Sequence, residues 1–138
     1  MNLIYGKRFQ LSLQNYLEEI KMQYEHLFLF SLFLTLIIEI PVLFLIIKYF
    51  FKIKVKNSLL LFTGFLCSFA TLPYIWFIFP LFLKTYLSYT IIGELIVFLL
   101  ESIILYFMLD LNIKKALTAS FICNFISFTL GLIIQKII

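Results

Sequence analysis

Three acids, Glu39, Glu94 and Glu101, each lie inside a long apolar run of the 138-residue chain. A charge at the centre of a bilayer costs at least about 2.5–3.5 kcal/mol even on lenient insertion scales, so such residues normally face a partner or a water-filled cavity. Glu94 and Glu101 sit in GELIVFLLESIILYFMLDLNI, seven residues apart. That spacing puts both on one helix face, separated by about 10 Å along the axis. Glu39 stands two residues before Pro41, whose missing N–H frees the Ile37 carbonyl and makes a polar notch. Carboxyl groups so placed can bind protons or cations. As an acid–base pair on one helix, Glu94 and Glu101 would need a substrate held between them, and no motif for one is present. No buried Lys, Arg or His is available in these runs to act as countercharge, since Lys48 falls at the end of the first. Either the acids carry their protons, or a cation, water or a partner protein meets them.

The other apolar runs hold polar side chains at matching depth. Ser68 and Thr71 lie in the second and Asn124 in the fourth. Ser120, Asn124, Ser127 and Gly131 are spaced 4, 3 and 4, a single helical stripe of small and polar residues suited to close helix packing. A common interior cluster of Glu39, Ser68, Thr71, Glu94, Glu101 and Asn124 is less costly than scattering them over lipid. These six are the predicted substrate- or ion-binding set. Cys67 and Cys123 lack metal-ligand spacing and read as small buried hydrophobes. His26 reads as an interfacial side chain, and Asp110, at the exit of its helix, as a solvated one. No HExxH, GxSxG, P-loop or glycine-rich phosphate motif occurs. Neither a catalytic set, a metal nor a cofactor is expected, and lipid modification is the remaining enzymatic reading.

Composition requires lipid as the solvent. The chain is 64% hydrophobic and 13% charged, with mean hydropathy +1.11, against about 45–50% and about 25% in soluble domains. A core of this size cannot hide that excess. The net charge of +4 comes from short lysine runs at helix ends, which disfavours nucleic-acid binding, where basic residues cluster on one surface.

The elements that must position the acids follow in order. Phe9, Leu13, Tyr16, Leu17, Ile20, Tyr24 and Leu27 recur at spacings of 3, 4 and 7, with Gln10, Gln14, Asn15, Glu18, Glu19, Lys21 and Glu25 opposite. This predicts an amphipathic helix over residues 9–26, lying at the membrane interface before the chain enters it. A helix docked on the protein itself, or continuous with the first span, is the alternative. The start MNLIYGKRFQ has no apolar core directly after Lys7 and Arg8, so insertion is expected to rest on the first span rather than on a secretory signal. Transmembrane helices are predicted over residues 27–50, 58–79, 88–109 and 116–135. Gly64, Ser68, Ala70 and Thr71 form a small-residue region in the second. Pro73 kinks that span, Trp76 nears the far interface and Pro80 is the expected stop, with Lys84 just beyond. The fold class is an all-α integral membrane protein: four transmembrane helices after an N-terminal amphipathic interfacial helix, in one membrane domain.

Lysine is densest in the short first and third loops, at Lys48, Lys52, Lys54, Lys56, Lys114 and Lys115. Short loops weigh most in orientation, so these loops are expected inside and both termini outside. Glu39-Ile40-Pro41, Thr71-Leu72-Pro73 with Trp76, the Glu94/Glu101 pair, and Asn124 with Ser127 and Gly131 together resemble a group of small, uncharacterised four-span bacterial membrane proteins. That resemblance implies a polar constellation across the helices and a bacterial cytoplasmic membrane, and brings no activity with it. Two functions are expected from the residues. One is a transporter or channel-like protein for protons, cations or a small cationic solute, forming a homo-oligomer. The other is an assembly, regulatory or anchoring subunit of a larger membrane complex.

Overall fold

The computed structural model describes the backbone of residues 2–83 and 85–137, with side chains for these except residues 2–12, Tyr86, Gln135 and Ile137. The side chains of Lys7, Arg8, Phe9 and Gln10, and Lys84 altogether, lie outside the described residues. Among the described residues five α-helices occur in order: α1 (Asn2–Phe44), α2 (Asn57–Pro73), α3 (Phe79–Phe82), α4 (Tyr86–Met108) and α5 (Ile113–Ile137). Wider π-helical turns extend α1 over Leu45–Phe50 and join α2 to α3 over Tyr74–Ile78. No strand occurs among the described residues. Among the described residues four stretches are long and apolar enough to cross a membrane: Leu13–Phe50, Asn57–Phe82, Leu87–Met108 and Ile113–Ile134. The protein is an all-α, multi-pass membrane protein.

The chain divides into two compact units, Met1–Ser31 and Leu32–Ile138. In the first, every described side chain from Leu13 to Leu27 is exposed, including the apolar stripe Leu13, Tyr16, Leu17, Ile20 and Tyr24. Gln14 donates to Glu18 at 3.4 Å and Lys21 pairs with Glu25 at 3.9 Å, both one turn apart. Of the alternatives, a helix continuous with the first span is the one observed: residues 9–26 and 27–44 are parts of the single helix α1. The physical reason is the lack of any Gly or Pro between Lys7 and Ile40, so no residue there favours a turn over helix propagation.

In the second unit a contiguous core joins Leu43, Ile46 and Ile47 to Leu60 and Cys67 of α2, Leu105 of α4, and Ala116, Ala119 and Cys123 of α5. Leu109 and Leu111, in the turn between α4 and α5, complete it. Gly64 sets the approach of α1 to α2. A Cβ there would stand 3.1 Å from Ile40 Cγ1 and 3.5 Å from Leu43 Cδ2, so even a methyl group would press on the Ile40 side chain. Gly131, expected to act likewise in the fourth span, has nothing within 4 Å of such a Cβ and is no packing notch.

Pro80 does not stop its helix, which runs on to Phe82. A proline cannot donate to the carbonyl four residues back. The π-helical turn just before it shifts the pairing, with Phe79 N–H reaching the Tyr74 carbonyl, and Leu83 N–H then closes on Phe79 at 2.8 Å. The third loop turns through Asp110 at φ 49°, a left-handed conformation that Asp tolerates. Asn112 then caps α5, its Oδ1 accepting from the Lys115 N–H at 2.9 Å.

Candidate functional site

Five of the six predicted site residues converge in the second unit, and their side chains are buried: Ser68, Thr71, Glu101, Glu39 and Asn124. Each acid is gripped by the same two helices. Glu39, on α1, accepts from Ser68 of α2 at 3.0 Å through Oε2 and from Ser127 of α5 at 2.7 Å through Oε1. Glu101, on α4, accepts from Thr71 of α2 at 3.2 Å through Oε1 and from Asn124 Nδ2 of α5 through Oε2. Ser68 and Thr71 are one turn apart on α2, as are Asn124 and Ser127 on α5, so two short polar stripes provide all four donors. Ser120 extends the second stripe. Its Oγ donates to the Phe98 carbonyl of α4 at 2.8 Å, and its own carbonyl accepts from Asn124 at 3.0 Å.

No buried side-chain polar atom lacks a partner among the described residues. That completeness matters in a membrane, where an unpaired polar group finds no water and a half-satisfied network is worse than an apolar core. No Lys, Arg or His takes part in any of these contacts. The acids are solvated by neutral hydroxyl and amide donors rather than by countercharge.

Glu39 and Glu101 line one cavity of about 10 Å3, together with Leu43, Gly64, Cys67, Leu105 and Cys123. That volume is at the lower limit for a single water molecule. Both thiols are free and buried, and they form apolar wall. Among the described residues no group of His, Cys, Asp and Glu is arranged to hold a metal ion.

Glu94 stands apart from the cluster. It is half-buried, and no hydrogen-bond partner for it occurs among the described residues. Its place two turns before Glu101 puts it on the same face of α4 but beyond the reach of the two polar stripes. Ser127 and Ser120 were the residues that the predicted set left out. The signal for both was the 4, 3, 4 spacing of the α5 stripe, in which Asn124 is only the most polar member. His26 and Asp110 are exposed and remote in sequence from every cluster contact. No protein-family model, curated protein or solved structure matches the chain.

Proposed function

We propose that the chain is a small transporter or channel-like protein of a bacterial cytoplasmic membrane whose moving charge is a proton, taken up and released at Glu39 and Glu101. The observation that carries this reading is the pair of carboxyls lining one cavity too small for a hydrated ion or an organic solute. Protons, passed along hydrogen bonds or through one water, need no more room than that.

The donors around the acids suit such a role. Each hydroxyl has a single proton and two acceptors in reach: Ser68 the Gly64 carbonyl at 3.3 Å, Ser127 the Asn124 carbonyl at 3.2 Å and Thr71 the Cys67 carbonyl at 2.8 Å, besides its carboxylate. When a carboxyl is ionised, the hydroxyls donate to it. When it is protonated, it donates to one hydroxyl, which turns its own proton to the carbonyl of its helix. Both states are then satisfied with the same heavy-atom positions, so little reorganisation accompanies the exchange. The exposed stripe of Leu13, Tyr16, Leu17, Ile20 and Tyr24 supplies a membrane-surface or oligomer contact in this reading.

The test is decay of an imposed pH gradient in liposomes containing the purified protein. Flux above that of protein-free liposomes, lost in the double variant Glu39→Gln/Glu101→Gln, supports the proposal. Wild-type protein that leaves the gradient untouched defeats it.

Glu94 favours a second reading, a non-transporting subunit of a larger membrane complex. A half-buried carboxyl without a hydrogen-bond partner among the described residues suits a cationic side chain on another protein. Purification from native membranes in mild detergent separates the two. A stoichiometric second membrane protein supports the subunit reading, and a homo-oligomer alone supports transport.

A further inference from the structure

The second polar feature of the molecule is basic. The stretch Lys52-Ile53-Lys54-Val55-Lys56 alternates without exception: the three lysines are exposed, and Ile53 and Val55 are half-buried against the core. The alternating exposure sends successive side chains of this loop to opposite sides. The two apolar residues therefore clip the loop to the end of the helix core and leave the lysines on the outer side.

Lys48 joins them from the last turn of the first span. Its ammonium donates to Asn57 Oδ1 and lies 5.7 Å from the Phe44 ring centroid. Lys48, Lys52, Lys54 and Lys56, with Ile53 and Val55, line one open pocket of about 590 Å3. The first turn of α2 begins at its edge, at Asn57, with no side-chain cap from Lys56. The sole ion pair among the described residues is Lys21 with Glu25, so none of the four lysines has a carboxylate partner. Lys52, at φ 55°, is the left-handed residue that ends the first span, with the Ile53 N–H closing on the Ile47 carbonyl at 2.9 Å. Four unneutralised cations around one concavity repel each other unless an anion lies between them.

The geometry points to this pocket as a binding site for the phosphate of an anionic phospholipid headgroup. A lipid, rather than a soluble anion, follows from the setting. The loop directly follows a membrane-spanning helix whose last residues, Tyr49 and Phe50, are exposed at 75% and 73%. Leu61 and Phe62 are exposed on the first turns of α2. Aromatic and apolar surface of this kind lies against headgroups and upper acyl chains, while basic pockets at helix ends take anionic headgroups. Simple interfacial lysines would spread toward any anionic surface, whereas these four line one pocket.

The test compares two variants with the same loss of charge on the same side of the protein: Lys54→Gln/Lys56→Gln in the pocket, and Lys114→Gln/Lys115→Gln outside it. Lys115 lies 5.6 Å from the Phe51 ring centroid, which places both pairs at one end. The full chain is equilibrated with equal phosphatidylglycerol and phosphatidylcholine, and retained lipids are counted by native mass spectrometry. The expected result is a phosphatidylglycerol preference that falls roughly tenfold or more in the pocket variant and persists in the control. Lys54→Arg/Lys56→Arg keeps the preference, which separates loss of the site from loss of the fold. Equal loss in both glutamine variants, or no preference in the wild type, overturns the inference. Stabilisation by inorganic phosphate alone that matches that of the lipid overturns the lipid assignment and makes the site one for soluble phosphate.

Discussion

Gly64→Leu is the substitution that most directly links helix packing to the polar cluster. A Cβ at Gly64 would meet Ile40 Cγ1 at 3.1 Å, where ordinary carbon contacts lie near 3.5–4.0 Å. Alanine therefore requires a yield of about 0.5 Å, and leucine adds three more carbons in the same direction. Ser68 stands one turn further along the same face of α2, and its bond to Glu39 is 3.0 Å long. Moving the helices apart by about 0.5 Å takes that bond to the edge of useful geometry. Overpacking of this kind costs about 1–3 kcal/mol, or roughly 5- to 150-fold in the folding equilibrium. Replacing glycine in a helix offsets up to about 1 kcal/mol, so Gly131→Leu is the proper reference, with the same propensity change and nothing within 4 Å. Equilibrium unfolding in mixed micelles should place Gly64→Leu about 1–3 kcal/mol below Gly131→Leu. Equal stability of the two variants would refute the close approach of α1 and α2, and with it the reason Glu39 reaches Ser68.

Two further outcomes follow from the same contacts. A double-mutant cycle of Glu39→Leu and Ser127→Ala, read by the same unfolding assay, should give a coupling of about 0.6 kcal/mol and at most about 1.7 kcal/mol, the range of interhelical hydrogen bonds in membranes; zero coupling would remove the α1–α5 link. Leu60→Ala, at a fully buried core position, should cost about 2–5 kcal/mol through the cavity it leaves, and a loss below about 1 kcal/mol would show that the core there is not close-packed.

The four spans were legible because each is a long apolar run ended by lysine or turn residues, and nothing competes with that signal. The depth alignment of Glu39, Ser68, Thr71, Glu101 and Asn124 was legible for a related reason: polar groups in lipid have few affordable places. Pairing was not. Helical periodicity says that Glu94 and Glu101 share a face of α4, yet only Glu101 bonds to Thr71 and Asn124, because the offset between helices is decided by tertiary packing that periodicity does not report. The α5 stripe marked Ser127 but not its partner, since a serine on a membrane helix can satisfy itself on its own backbone and gives no sign that it reaches Glu39. Whether the amphipathic stretch runs on into the first span stayed open because amphipathicity reports which face is polar, whereas continuity depends on breakers, and none lies between Lys7 and Ile40.

Side-by-side proton flux of Glu39→Gln, Glu101→Gln and Glu94→Gln in liposomes, at matched protein content and melting behaviour, tests the central claim most directly. Glutamine keeps the size and hydrogen-bonding of glutamate and removes the exchangeable proton. Loss of flux in the first two variants, with Glu94→Gln retaining most of it, is the predicted result. Wild-type flux in both Glu39→Gln and Glu101→Gln would contradict it, and would leave the two buried acids as structural hydrogen-bond acceptors.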